Sequence, residues 1–410
     1  MMNQNRMKRL VLLVSALAMA AQLAACSSGT PAETTPKASE SGTQPTTPPE
    51  TSSTQPGGTI ADITVAPPET SGLPVVIDTT SDTLVSVFET TTGVQTSGQD
   101  TQNVDTTPID TGAVLVIGNS AMEHYYGVDS ALESYAGTVS SIKQQLPDVN
   151  VYAMFCPSAV EFCAPAKYQA GTRSQQRAMN VIYNALQNGA VGVDTWSELN
   201  QHSSEYLYFR TDHHWTQRGA YYAYVAFCKA AGFTPHDLSE YETGIVENFV
   251  GTMSIYAKDY ASRFYNNPDS VEYFRPINPS TMTVYSTPAM TNGSTRAVVA
   301  SQESADKMSR GAKYSMFISG DNPISHIVSD TIKNGRVCIV TKESYGNALV
   351  PFLTDHFEEI YVIDPRQFNT DGKPSLNLIS FAKEHGATDV VCVNAAVLLP
   401  GINKYLKKMI

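Results

Sequence analysis

The fold class follows from residues 336–394, in which three β-branched runs, RVCIVT (336–341), IYVI (360–363) and DVVCVN (389–394), alternate with two helix-like segments. Strands that are almost continuously apolar are typical of a parallel sheet covered by helices on both faces. The helix-like segments, 349–358 and 376–385, have the length that parallel crossovers need. This stretch therefore predicts an α/β fold with a mostly parallel sheet.

The same alternation occurs earlier in the chain. Apolar runs at 114–117, 149–155 and 190–195 are separated by segments with helical patterns at 130–145 and 173–188, and a further helix is predicted at 217–231. Between the two halves, residues 241–319 contain short alternating runs (282–285, 296–300 and 314–318) with turn residues between them. We therefore expect one domain over 111–410, built from both ends and interrupted by a β-rich insertion at about 241–319.

Residues 1–26 have the pattern of an export signal. Basic residues at positions 6–9 precede an apolar segment, 10–21, that is too short to cross a bilayer as a helix. The Leu-Ala-Ala-Cys that ends at Cys26 resembles the bacterial lipobox, in which the cysteine becomes the lipidated N-terminus. We expect an extracytoplasmic protein that is lipid-anchored to the bacterial cell membrane, and the alternative is an ordinary cleaved signal peptide.

Residues 27–110 have the composition of a disordered linker. The segment is rich in Thr, Ser, Pro and acidic residues, with Lys37 as its single basic residue. The chain carries a net charge of −12. This sign, together with the lack of a basic stripe, argues against a nucleic-acid partner.

The cysteines do not indicate a metal site, because no pair has zinc-site spacing. Cys156 and Cys163 flank a predicted loop in a chain that we expect to be exported, where disulfides are common. A disulfide between them and two free thiols both remain open.

The hexapeptide TDHHWT at 211–216, called the TDHHWT loop below, has a pattern that suits catalysis. Asp212 stands two residues before His214, so its carboxylate can orient the imidazole and stabilise it when it takes up a proton. The neighbouring His213 raises the possibility of a metal site, but adjacent residues seldom both reach one ion. We therefore expect neither a metal nor another cofactor.

Two serines are candidates for a nucleophile. Ser344 follows the strand 336–341 and precedes a helix, and Ser120 follows the run 114–117 in the same way. A helix N-terminus after such a turn offers backbone N–H groups to an oxyanion. The residues themselves do not distinguish the two serines, and helix capping is the usual role of a serine at this position.

Five motifs in order along the chain carry a family resemblance: YFRTDHHWT (208–216), FVGT (249–252), YSMF (314–317), KESY (342–345) and IDPR (363–366). Together they resemble the signature of the DHHW proteins, which are similar to AlgX/AlgJ-type SGNH-hydrolase-like alginate O-acetyltransferases. The resemblance covers about residues 113–400. It implies an SGNH-hydrolase-like (flavodoxin-like) sheet flanked by helices.

The resemblance also implies a catalytic triad. Asp212 and His214 match the family's Asp-X-His-Trp motif, and Ser344 matches its downstream nucleophile. Ser120 remains the second candidate, because in ordinary SGNH hydrolases the serine comes first. Glu343 precedes the nucleophile where the family usually has Asp.

Three further residues complete the expected site. The backbone N–H of Tyr345 and the side chain of Asn347 would hold the oxyanion, and Arg366 would pair with an acidic sugar or anchor Asp364.

The activity implied by the resemblance is that of an O-acyltransferase or esterase that acts on a cell-envelope polysaccharide. Its acyl donor would be supplied, for example, by a membrane-bound O-acyltransferase. The alternative is a non-catalytic surface lipoprotein that binds glycan or assists envelope assembly. The two are distinguished by turnover of an acetyl ester.

Overall fold

The computed structural model describes residues 106–410. The predicted signal segment, the lipidation at Cys26 and the predicted linker up to residue 105 lie outside the described residues. The last residues of the predicted linker include a short strand, Ile109–Asp110. Within 106–410, none of the helices combines the length and hydrophobicity that crossing a membrane requires.

The strands of the described region form three sheets. In chain order they are β1 (Ile109–Asp110), β2 (Val114–Ile117), β3 (Ser120–Glu123), β4 (Asn150–Cys156), β5 (Val191–Gly192), β6 (Glu242–Phe249), β7 (Asp269–Arg275), β8 (Ser280–Tyr285), β9 (Ser294–Arg296), β10 (Ile324–Ser329), β11 (Val337–Lys342), β12 (Glu359–Ile363) and β13 (Asp389–Ala395).

The α-helices alternate with these strands in both halves of the domain. They are α1 (Asp129–Gln145), α2 (Val160–Cys163), α3 (Gln175–Asn184), α4 (Thr195–Gln201), α5 (Gln217–Ala231), α6 (Met253–Tyr256), α7 (Ala261–Asn266), α8 (Gln302–Asp306), α9 (Gly346–Leu353), α10 (Leu378–Glu384) and α11 (Leu399–Leu406).

The largest sheet has eight strands in the order β5-β4-β13-β11-β12-β10-β8-β9. The first five are parallel, and β10, β8 and β9 are antiparallel to their neighbours. At its centre, Val391 pairs with Tyr152 on one side and Val340 on the other. All residues of β13 are buried, as expected for a strand covered on both faces.

The α/β class is confirmed. The large sheet is mixed, and the predicted flavodoxin-like arrangement is not confirmed. The predicted first strand, 114–117, forms β2 in a separate antiparallel sheet with β1 and β3. A parallel neighbour would need a crossover of about a dozen residues. Instead, Gly118 with a φ of 57° and Asn119 turn the chain directly back into β3.

The region predicted as an insertion contributes to the large sheet. β8 and β9 extend its antiparallel edge. The sequence patterns did not predict β10, which pairs with β8 and β12. The strand predicted at 314–318 is wrong, because Arg310–Met316 forms a 3₁₀ helix. β6 and β7 form a two-stranded sheet of their own.

Candidate active site

The TDHHWT loop is fixed at both ends by neighbouring elements. Asp269, the first residue of β7, accepts hydrogen bonds from the backbone N–H of Thr211 at 2.8 Å and from its hydroxyl at 2.7 Å. At the other end, the side chain of Thr216 caps the N-terminus of α5. Trp215 is fully buried, and its Nε1 donates to the carbonyl of Tyr345 at 2.9 Å. The loop is therefore attached to the turn that follows β11.

Ser344 lies in the turn between β11 and α9. β11 ends at Lys342 and α9 begins at Gly346, so the side chain stands at the carboxyl edge of the parallel strands. Open α/β sheets usually place their functional groups at this edge. This is the position that the sequence predicted for Ser344.

The structure brings Asp212, His214 and Ser344 into one hydrogen-bonded row. His214 Nδ1 lies 2.5 Å from Asp212 Oδ1, and His214 Nε2 lies 2.7 Å from Ser344 Oγ. The three residues are only 3%, 6% and 5% exposed, respectively. Burial at this level strengthens their electrostatic interactions. The row has the geometry of a serine nucleophile, its general base and the carboxylate that orients the base.

Asp212 accepts more hydrogen bonds than the one from the His214 ring. The backbone N–H of His214 donates to Oδ1 at 3.1 Å, and that of Thr252 donates to Oδ2 at 2.9 Å. Burial opposes ionisation of the carboxyl, but its electrostatic interactions with the His213 and His214 rings and these hydrogen bonds outweigh it. The pKa of Asp212 therefore lies well below its ordinary value.

The ionised Asp212 determines which nitrogen of His214 carries the proton. A carboxylate can only accept, so Nδ1 must be the donor and Nε2 can accept from the Ser344 hydroxyl. This is the tautomer that a general base needs. Tyr314 stabilises the ring orientation, because its own ring stacks on His214 with centroids 3.8 Å apart and its hydroxyl donates to the Ser344 carbonyl at 3.1 Å.

The backbone N–H of Tyr345, predicted as an oxyanion donor, is engaged elsewhere. It donates to Glu343 Oε2 at 3.0 Å, while Glu343 Oε1 accepts from the N–H of Ala395 at 2.7 Å. Glu343 is fully buried, so its carboxyl must be satisfied by donors within the protein. Glu343 thereby links the nucleophile turn to the end of β13.

Asn347 and Arg366 also belong to a structural network. The Asn347 side chain accepts from Lys342 Nζ at 2.5 Å and donates to Asp321 Oδ1 at 3.1 Å. Arg366 binds Asp364 at 2.6 Å and Asp321 at 2.5 Å. These contacts agree with the anchoring role considered for Arg366, and they give Asn347 partners other than an oxyanion.

Ser120 does not occupy the strand–helix turn that its sequence context predicted. It begins β3 and pairs with Ile117 across the β2–β3 hairpin. The difference arises because the chain turns directly from β2 into the hairpin strand β3, which lies between the run 114–117 and α1. The serine bonded to His214 is Ser344.

Asp212, His213 and His214 could also present a cluster of metal ligands, since one ligand atom from each lies within 4.8 Å of the others. His213 Nδ1 lies 2.6 Å from the Thr252 hydroxyl, and both His214 nitrogens hold the contacts of the triad. Metal binding would therefore compete with these hydrogen bonds.

The described cysteines are free thiols. Cys156 is buried and Cys163 is exposed. The structure thus contains two thiols where the sequence left a disulfide open.

Thr252 and Tyr314 were not singled out as site residues from the sequence. Thr252 contacts Asp212, and Tyr314 contacts both His214 and the Ser344 backbone. Both lie in motifs that carry the family resemblance, FVGT and YSMF, which was the available signal.

Comparison with known proteins gives a family match. The model of the family described as "DHHW protein" matches residues 77–363. The crystal structure of a DHHW family protein from Eubacterium siraeum is 34% identical, covers 73% of this chain and 96% of its own, and has a TM-score of 0.63. None of the curated proteins matches this chain.

Two further solved structures are similar at lower identity. Bacillus cereus PatB1, solved with a sulfonyl adduct, is 18% identical, covers 71% of this chain and 96% of its own, and has a TM-score of 0.56. The O-acetyltransferase domain of Pseudomonas putida AlgJ is 14% identical, covers 72% of this chain and 96% of its own, and has a TM-score of 0.38. PatB1 therefore supports the fold.

Proposed function

The chain belongs to the DHHW family, and from this membership and the site geometry we propose that it is a serine-dependent acyl-transfer enzyme. The observation that carries the proposal is the buried row in which Ser344 Oγ lies 2.7 Å from His214 Nε2 and His214 Nδ1 lies 2.5 Å from Asp212. The AlgX/AlgJ-type motifs of the sequence support acyl transfer on an SGNH-hydrolase-like fold.

The proposed first half-reaction acylates the serine. His214 Nε2 takes the proton from Ser344 as Oγ attacks the ester carbonyl, and Asp212 stabilises the imidazolium that forms. When the tetrahedral intermediate collapses, the bond to the leaving alcohol breaks and the alcohol receives the proton from His214. The product is an acyl ester on Ser344.

The second half-reaction returns the serine. An acceptor hydroxyl loses its proton to His214 and attacks the acyl carbonyl, and Ser344 leaves with that proton. A sugar hydroxyl as acceptor makes the protein an O-acyltransferase, and water makes it an esterase. We propose a cell-envelope polysaccharide as the carbohydrate, which rests on the family resemblance.

The central test is Ser344→Ala, assayed by release of p-nitrophenol from p-nitrophenyl acetate. We expect a loss of kcat of about 10³-fold or more, because alanine lacks the Oγ that forms the acyl-enzyme. Circular dichroism and the melting temperature should stay close to those of the wild type. Ser120→Ala is the matched control and should retain activity.

A sulfonyl fluoride provides an independent readout, since it reacts covalently with an activated serine. The intact mass of the wild type should increase by one sulfonyl group, and peptide mapping should place it on Ser344. Full esterase activity in Ser344→Ala, together with loss in Ser120→Ala, would refute the assignment of the nucleophile.

A paired assay separates transfer from hydrolysis. With an acetyl donor and a glycan acceptor, acetylated glycan identifies a transferase, whereas free acetate alone identifies an esterase. Glycan binding without turnover of either kind would favour the non-catalytic alternative.

The membrane location is part of the same proposal. We propose that Cys26 carries a lipid anchor outside the cytoplasm. Cys26→Ser should move the protein from the membrane fraction to the soluble fraction, and an unchanged distribution would argue against the anchor.

A further inference from the structure

Thr252 and His213 hold the side of Asp212 that faces away from His214. The Thr252 hydroxyl lies 3.1 Å from Asp212 Oδ2, and the same oxygen accepts the Thr252 backbone N–H at 2.9 Å. His213 Nδ1 lies 2.6 Å from the Thr252 hydroxyl. The contacts form a continuous chain from His213 through Thr252 to Asp212.

Counting protons gives this chain a direction. A threonine hydroxyl has one proton and can donate only one hydrogen bond. Ionised Asp212 can only accept, so the hydroxyl of Thr252 donates to Oδ2. The same hydroxyl must then accept from His213, which places the His213 proton on Nδ1.

We propose that Thr252 and His213 are positioning residues of the triad, and that the chain His213 Nδ1–H to Thr252 Oγ–H to Asp212 Oδ2 keeps Asp212 Oδ1 aimed at His214. The inference rests on the proposed function because it concerns the same catalytic row. Thr252 and His213 act through Asp212 and not on the reacting atoms.

The surroundings disfavour a positive charge on His213 while His214 takes up a proton. The rings of His213 and His214 lie 3.8 Å apart, so two positive charges there would repel each other. Burial and the charge of His214 lower the pKa of His213, against the opposing effects of Asp212, Glu123 and Glu343. His213 can therefore serve as a fixed hydrogen-bond donor throughout the reaction.

The hydrogen-bond chain also stabilises the charge of Asp212. Each hydrogen bond donated to Asp212 favours its ionised form. Loss of the Thr252 hydroxyl should therefore loosen the carboxylate that orients His214. Besides Asp212, the acidic groups Glu123 and Glu343 also act electrostatically on His213.

The test compares Thr252→Val with Thr252→Ser in the full chain, using p-nitrophenyl acetate. Valine has the shape of threonine but no hydroxyl, and both variants keep the backbone N–H to Asp212. For valine we expect kcat to fall about tenfold with KM unchanged, because one hydrogen bond to a charged group is lost. Serine should restore kcat.

A second pair of variants tests the outer end of the chain. Asparagine places an amide donor near the position of the imidazole Nδ1, so His213→Asn should stay close to the wild type. His213→Leu removes the donor and should reproduce the fall in kcat expected for Thr252→Val. A wild-type kcat in Thr252→Val, or a loss that serine fails to restore, would overturn the proposal.

The proton on His214 Nδ1 gives a readout that does not depend on turnover. In protein labelled with ¹⁵N-histidine, its resonance should shift in Thr252→Val and return in Thr252→Ser. An unchanged resonance would contradict the proposed hydrogen-bond chain.

Ser344→Ala is assayed in parallel. Its retained activity would refute the proposed function, whereas an inactive Ser344→Ala with an unaffected Thr252→Val would refute only the positioning role.

Discussion

At the scale of single residues, the site depends on how closely the FVGT segment approaches Asp212. Gly251 lies so near that a Cβ built on it would be 2.1 Å from Asp212 Oδ2 and 2.3 Å from Asp212 Cβ. Contacts this short require one group to move. Glycine is thus needed here for the space that a side chain would take from the catalytic carboxylate.

Gly251→Ala should therefore displace Asp212 and weaken its contact with His214. We expect kcat for p-nitrophenyl acetate to fall by about 10²-fold, because a misplacement of about 1 Å in a catalytic group has this effect. The measurement is steady-state kinetics together with the melting temperature.

Gly311→Ala is the matched control for this change. Its Cβ would meet no atom closer than 3.6 Å, the carbonyl oxygen of Val250, which is ordinary van der Waals contact. Activity in Gly311→Ala should match the wild type. Equal activities in the two alanine variants would contradict the steric role of Gly251.

At the scale of secondary-structure elements, α5 holds the TDHHWT loop by packing against the chain that precedes it. A Cβ on Gly219, in the first turn of α5, would lie 2.4 Å from the carbonyl oxygen of Leu207 and 3.1 Å from Trp215 Cβ. The backbone cannot yield as easily as a flexible side chain. The helix and the segment at 207 are thus locked at a distance that only glycine permits.

Gly219→Ala should lower the free energy of unfolding by about 1–3 kcal/mol, the usual cost of overpacking a buried contact. Gly137→Ala is the opposite case, because Gly137 lies within α1 and its Cβ would meet nothing within 4 Å. That change should stabilise the protein by about 0.5–1 kcal/mol, since alanine favours a helix more than glycine does. Urea unfolding of both variants measures the difference, and equal effects would contradict this account.

Contacts between elements also hold the turn that carries Ser344. Tyr345 is held by the Glu343 carboxyl, by Trp215, and by its own hydroxyl, which donates to the His213 carbonyl at 2.6 Å. The turn after β11 and the TDHHWT loop therefore form one hydrogen-bonded unit. Because the two segments hold each other, the short distance between Ser344 and His214 is built into the fold.

At the scale of the whole molecule, a largely buried ion network joins the carboxyl ends of two strands of the large sheet. Asp321 accepts from Lys342 at 2.9 Å and from Arg366 at 2.5 Å. Lys342 is the last residue of β11, and Arg366 follows the end of β12. Lys342 is fully buried. Removal of one partner from such a network leaves an uncompensated charge in the interior.

Asp321→Asn should lower the free energy of unfolding at pH 7 by about 3–5 kcal/mol, the usual cost of breaking a buried ion pair. The control is Asp129→Asn, which breaks an exposed pair with Arg177 and should change the melting temperature much less. Thermal unfolding of both variants is the measurement.

The pH dependence of Asp321→Asn gives a further check. Burial opposes the charge of Asp321, but Lys342 and Arg366 outweigh it and hold its pKa far below the ordinary value. A depressed folded pKa stabilises the protein above the unfolded pKa, and this contribution is lost as the pH falls below about 4. The difference in melting temperature between wild type and variant should thus shrink on acidification. A constant difference would contradict a role for the charge.

What the sequence by itself determined are the features encoded by residues close together in the chain. The strand and helix alternation gave the α/β class, and helix 217–231 was predicted with the bounds that α5 has. Asp212 and His214 are two residues apart, so their contact needs only a local turn. The strand-to-helix turn at Ser344 was likewise readable from its flanking residues.

Only the tertiary structure decided the arrangement of distant segments. Apolar patterns do not specify which strands pair. Strand pairing determines the sheet order, the antiparallel edge with β10, and the hairpin that removes Ser120 from the predicted position. His214 and Ser344 are 130 residues apart, and their contact exists because two loops meet at one sheet edge. The physical reason is that local patterns record burial and backbone preference, whereas long-range contacts also depend on how every other element packs.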